Sequence, residues 1–92
     1  MKTILIAAAL TATLSADMCV YYAQEAFKSQ DEMVMFDGEG MFKDSDRSRT
    51  SYKRYYIKAM AECTVGKQTK SRKSLVNNMK NLNDILKEKG YL

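Results

Sequence analysis

Two cysteines, Cys19 and Cys63, constrain this chain more than any other feature. They allow a single intramolecular pairing, and an even cysteine count in a small exported chain reads as a disulfide. Such a bridge forces the segment around Cys19 to lie beside the segment around Cys63. Closing a loop of that length stabilises by about 4 kcal/mol in the chain-entropy model. The gain matters in a chain of 92 residues, whose modest core leaves it marginally stable alone.

The case for export rests on the first residues. Lys2 supplies a positive charge, Ile4-Leu5-Ile6-Ala7-Ala8-Ala9-Leu10 an apolar run, and Leu14-Ser15-Ala16 a small-residue exit. That order is a secretory signal peptide, residues 1–16, with cleavage expected between Ala16 and Asp17, or one residue earlier. A membrane span needs roughly 20 apolar residues, and positions 4 to 16 give only 13, several of them Ala, Thr or Ser. Residues 17–92 then form one domain, periplasmic or secreted.

Within that domain three segments carry helical periodicity. Cys19, Tyr22, Ala23, Ala26 and Phe27 share a stripe, which predicts a first helix from Asp17, its N-cap, to about Gln30. Residues 31–46 are irregular, and Asp37-Gly38-Glu39-Gly40 predicts a loop. A second helix is expected from Ser45 or Asp46, either of which caps it. Tyr52, Tyr55, Tyr56, Ala59, Met60 and Cys63 form its stripe, and Gly66 its stop. In the third, Leu75, Val76, Met79, Leu82, Ile85 and Leu86 make one apolar face, with Ser71 or Ser74 as cap and Gly90 as stop. The chain has no proline, which suits helices. The fold class is all-α, a small three-helix bundle with one disulfide, Cys19 and Cys63 joining antiparallel helices one and two while helix three covers the pair.

Charge is distributed unevenly. Residues 17–46 hold eight acids and two bases; residues 47–92 hold twelve bases and three acids. The net charge of +4 therefore conceals an acidic half and a basic half. Either the two halves neutralise each other within the molecule, or the asymmetry marks an interaction surface. Export makes nucleic acid an unsuitable partner, whereas an acidic protein, a cell-wall polymer or anionic lipid fits the basic half.

Chemistry is sparse. There is no histidine, which removes the commonest general base, the usual triads and most zinc sites. Paired cysteines leave no thiol nucleophile, and nothing in the spacing selects Glu25 and Glu62 as a carboxylate pair. The acidic run from Asp37 to Asp46 lacks the alternating ligands and final Glu of a calcium loop and reads as a solvated connection. The expectation is a protein that is not an enzyme, holds no cofactor or metal, and works by binding another protein. Lys67, Lys70, Arg72 and Lys73 form a basic cluster suited to an acidic partner. Tyr21 and Tyr56 are the tyrosines assigned to the contact surface, because a phenol offers area and a polar tip at low entropic cost.

Met18-Cys19-Val20-Tyr21-Tyr22 near the expected mature start, and Ala61-Glu62-Cys63-Thr64-Val65-Gly66-Lys67-Gln68 at a helix end before a Lys-rich amphipathic tail, give a layout that resembles the HdeA/HdeB-type periplasmic acid-stress chaperones. The likeness is one of layout across residues 17–92 and of few identities. The absent proline, the basic balance and the long Asn- and Lys-containing last helix depart from that family. The resemblance implies a chaperone that loosens at low pH and offers apolar surface to unfolding clients. The other reading is a specific periplasmic inhibitor or exclusion factor, of phage or plasmid type, that binds one acidic protein.

Overall fold

The computed structural model describes residues 18–92 in full and, ahead of them, only the backbone of the helix leading into Met18. Among the described residues there are three helices and no strand: α1 (Lys2–Gly38), α2 (Phe42–Cys63) and α3 (Lys70–Glu88). The signal-peptide expectation for residues 1–16 and the proposed cap at Asp17 lie outside the fully described residues.

Helix α1 does not stop at Gln30. Its buried side chains Cys19, Ala23, Ala26 and Ser29 continue the stripe to Met33, which is fully buried against Ala26, Tyr52 and Leu86. Burying a methionine there extends the helix into the segment expected to be a loop. The chain turns only at residues 39–41. Gly40 takes a left-handed φ of 76°, the Met41 amide donates to the Phe36 carbonyl at 2.8 Å, and the Gly40 amide donates to the Asp37 carbonyl at 3.2 Å. These two bonds form a Schellman closure around a residue position that favours glycine.

Helix α2 accordingly begins at Phe42, earlier than expected, and no side chain caps it at Met41. Ser45, expected as that cap, is buried and donates its hydroxyl to the Met33 carbonyl at 3.2 Å. The interface between α1 and α2 is lined by small buried side chains, Ala23, Ala26, Ser29, Ser45, Ser48 and Ala59. Their size lets the two backbones pack closely along the hairpin.

Helix α3 covers the hairpin through two apolar clusters. Val76 and Met79 pack with Cys19, Ala23, Ala59 and Cys63. Leu86 packs with Ala26, Met33 and Tyr52, supported by half-buried Leu82, Tyr91 and Leu92. The Thr69 hydroxyl, rather than Ser71 or Ser74, caps α3 by accepting from the Arg72 amide at 3.2 Å. The apolar face is narrower than its sequence period suggests, since Ile85 is 45% exposed. A second Schellman closure ends α3, with Gly90 at φ 84° and the Tyr91 amide donating to the Leu86 carbonyl at 2.9 Å. The Arg49 side chain then donates to the Tyr91 carbonyl at 2.6 Å, tying the C-terminal residues to α2.

Candidate interaction surface

The Cys19–Cys63 bridge brings α1 and α2 to a Cα–Cα distance of 4.8 Å, and both cysteines are fully buried. This link fixes the end of the bundle where the basic cluster sits. The connection from α2 to α3 is held by side chains reaching backward. Gln68 donates to the Cys63 and Gly66 carbonyls, and the Arg72 guanidinium donates to the Val65 carbonyl at 2.7 Å.

The four basic candidates therefore divide into two kinds. Lys67, Lys70 and Lys73 are exposed. Arg72 is half-buried and spends its guanidinium on the connection that carries the lysines. Val65, 59% exposed, lies in the same connection, two residues before Lys67. The result is three exposed cations and one exposed apolar side chain on a connection bonded by Gln68 and Arg72.

Tyr21 lies at the same end, two residues after Cys19, and is exposed. Its ring contacts Tyr22 at 5.5 Å between centroids, Tyr22 approaches Tyr55 at 6.1 Å, and the Lys58 ammonium stands 5.5 Å above the Tyr22 ring. The neighbouring Glu25 carboxylate raises the Tyr21 phenol above its ordinary pKa, because a second negative charge beside it is unfavourable. This aromatic row joins α1 to α2.

Tyr56 is not part of that end. It is half-buried, stacks on Tyr52 at 5.9 Å and touches both apolar clusters. Burial, with Asp84 nearby, raises its pKa. Its outer edge lines a groove of about 290 Å³ with Lys53, Ile57, Asn83, Lys87 and Leu92. Two exposed apolar side chains on α2 escaped the sequence reading, Phe42 at 64% and Ile57 at 68%. Phe42 falls in the segment 31–46 expected to be a loop. Ile57 lies off the buried stripe, where its position opposite the core was the available signal.

Among the described residues, no ion pair between helices neutralises the charge asymmetry. The one ion pair among them joins Asp46 and Arg49 within α2. No described carboxylate is buried, and no three metal-ligating side chains come together among the described residues. The chain matches no protein-family model, no curated protein and no solved structure.

Proposed function

We propose that this chain is an exported binding protein that engages an acidic protein partner at the disulfide-linked end of its bundle. The supporting observation is the exposed trio Lys67, Lys70 and Lys73 close in sequence to exposed Val65, on and just after a connection held by Gln68 and Arg72. Cationic side chains on a fixed backbone steer an acidic partner toward one orientation, and an apolar centre supplies burial once it arrives. The rigid, bridged frame suits a specific inhibitor or exclusion factor with one target. The export signal of residues 1–16 supplies the oxidising compartment in which the bridge persists.

The test replaces Lys67, Lys70 and Lys73 by Ser while leaving Arg72 in place. The variant should keep the helical content of the parent, bind the partner more weakly, and show a shallower salt dependence, since exposed attraction is screened over about 10 Å at 0.1 M salt. Unchanged affinity and unchanged salt slope would reduce the trio to a solvated surface.

A stress-chaperone function, implied by the layout shared with the HdeA/HdeB type, is the second reading. Exposed Met35, Met41 and Phe42 at the α1–α2 turn favour it, because clients are held through apolar surface. Its acid trigger has little to act on among the described residues, where carboxylates are exposed or half-buried and one surface ion pair is present. Loss of near-ultraviolet circular dichroism at mildly acidic pH, with gain of dye-binding apolar surface, would favour the chaperone over the single-target inhibitor.

A further inference from the structure

The exposed side of α2 carries a stripe whose spacing reads the same from both ends and whose charges exchange sign. Phe42, Asp46, Lys53 and Ile57 are separated by steps of four, seven and four residues. At 3.6 residues per turn these steps keep all four within an arc of about 60° on the helix surface. All four are open to solvent: Phe42 is 64% exposed, Ile57 68%, the Asp46 side chain 70%, and Lys53 is exposed. The order is apolar, acidic, basic, apolar. The intervals Phe42–Ile57 and Asp46–Lys53 share one midpoint, between Arg49 and Thr50.

A two-fold axis through that midpoint, with two α2 helices antiparallel, has a definite consequence. Phe42 of each copy meets Ile57 of the other, and Asp46 of each meets Lys53 of the other. Every contact occurs twice, as an isologous interface requires. A register moved by three residues, with its midpoint between Arg49 and Lys53, sets Arg49 against Lys53 and is disfavoured by charge repulsion.

The groove beside Ile57 is an independent observation. Its apolar walls are Tyr56, Ile57 and Leu92, and its volume is about 290 Å³. A cavity of about 150 Å³ accepts benzene, so a phenyl ring fits this one. Phe42 is a large exposed ring at the N-terminal end of the same stripe, and the two-fold pairing delivers it to the mouth of that groove. Lys53 and Lys87 line the groove, while the segment around Phe42 carries four acids, Asp37, Glu39, Asp44 and Asp46, against one base, Lys43. Charge and apolarity therefore match between one end of the stripe and the other end of its copy.

We propose that the chain forms a two-fold homodimer through α2, with Phe42 of each copy seated in the Tyr56–Ile57–Leu92 groove of the other. Both apolar residues that the monomer leaves most exposed along α2 are covered, and the acidic and basic segments find each other between molecules. The lysine trio lies at the disulfide-linked end, outside this stripe, so dimerisation and partner binding fail or succeed separately.

The test is sedimentation equilibrium of the natively produced, disulfide-bonded chain and of two charge reversals. The wild type should associate as a dimer and stop there. Asp46→Lys alone and Lys53→Asp alone each place like charges together twice and should weaken the dimer by about tenfold or more. An equimolar mixture of the two variants restores opposite charges at both positions and should recover the dimer as a mixed pair. Phe42→Ser, at an exposed helix start, should leave the helical content unchanged while weakening the dimer by about a hundredfold. A wild type that stays monomeric at millimolar protein, a mixture no more associated than its separate components, or a Phe42→Ser variant that dimerises like the parent overturns the proposal.

Discussion

The Ser45 hydroxyl donates to the Met33 carbonyl across the α1–α2 interface, 3.2 Å away and fully buried. One bond thus joins a residue expected to cap a helix to a residue expected in a loop. Ser45→Ala should cost about 1 kcal/mol in urea denaturation, since a carbonyl already inside a helix loses only its second partner. Ser45→Leu should cost about 1–3 kcal/mol or more, because the close approach of α1 and α2 leaves no room for the added carbons. Equal stability of the two variants would contradict the tight interface.

The disulfide closes a separation of 44 residues. Replacing both cysteines by Ser should lower stability by about 2–5 kcal/mol in chemical denaturation. Thiol counting on denatured, unreduced protein should find no free thiol. Two free thiols on natively exported chain would contradict the bridge.

The third helix tests how far a sequence period reports burial. Leu75 to Leu86 forms an uninterrupted stripe in sequence, yet Leu86 is 2% exposed and Ile85 45%. Leu86→Ala should therefore cost about 2–5 kcal/mol, and Ile85→Ala well under 1 kcal/mol. Thermal melting of the two variants separates them directly.

Tyr52 links α2 to α3 through its hydroxyl, which donates to Asn83 Oδ1 at 3.1 Å. Burial pushes its phenol above the ordinary value, with Tyr56 adding to the shift. A raised folded pKa means that the neutral form is favoured in the folded state. The associated stability is therefore present below the ordinary phenol value of about 10 and is lost as pH rises beyond it. Tyr52→Phe should lose about 1 kcal/mol at neutral pH from the missing bond, and its stability should decline less steeply above about pH 10. An unchanged alkaline slope would argue against the buried phenol.

Much of this architecture was legible from residue spacing. The all-helical class and the antiparallel pairing of the first two main helices follow from stripes and cysteine positions, and the Cys19–Cys63 bridge from the even cysteine count together with the expected export. The segment 31–46 misled because its two glycines and six acids resemble a loop. A single methionine, Met33, buried against Tyr52 and Leu86 from other helices, outweighs those local signals, and tertiary burial of that kind has no local signature. The candidate surface was legible in part. Lys67, Lys70, Lys73 and Tyr21 stand exposed at one end, but nothing in the spacing announced that Arg72 would bond the Val65 carbonyl. Nor did it announce that Tyr56 would lie between the two clusters.

The most direct measurement is capture of partners from a periplasmic extract by the bridged chain, in parallel with the Lys67, Lys70 and Lys73 to Ser variant, followed by mass spectrometry and salt elution. The binding proposal predicts one acidic protein retained by the parent, released by added salt, and depleted on the variant. Identical capture by both proteins, or no specific capture by the parent, would contradict it.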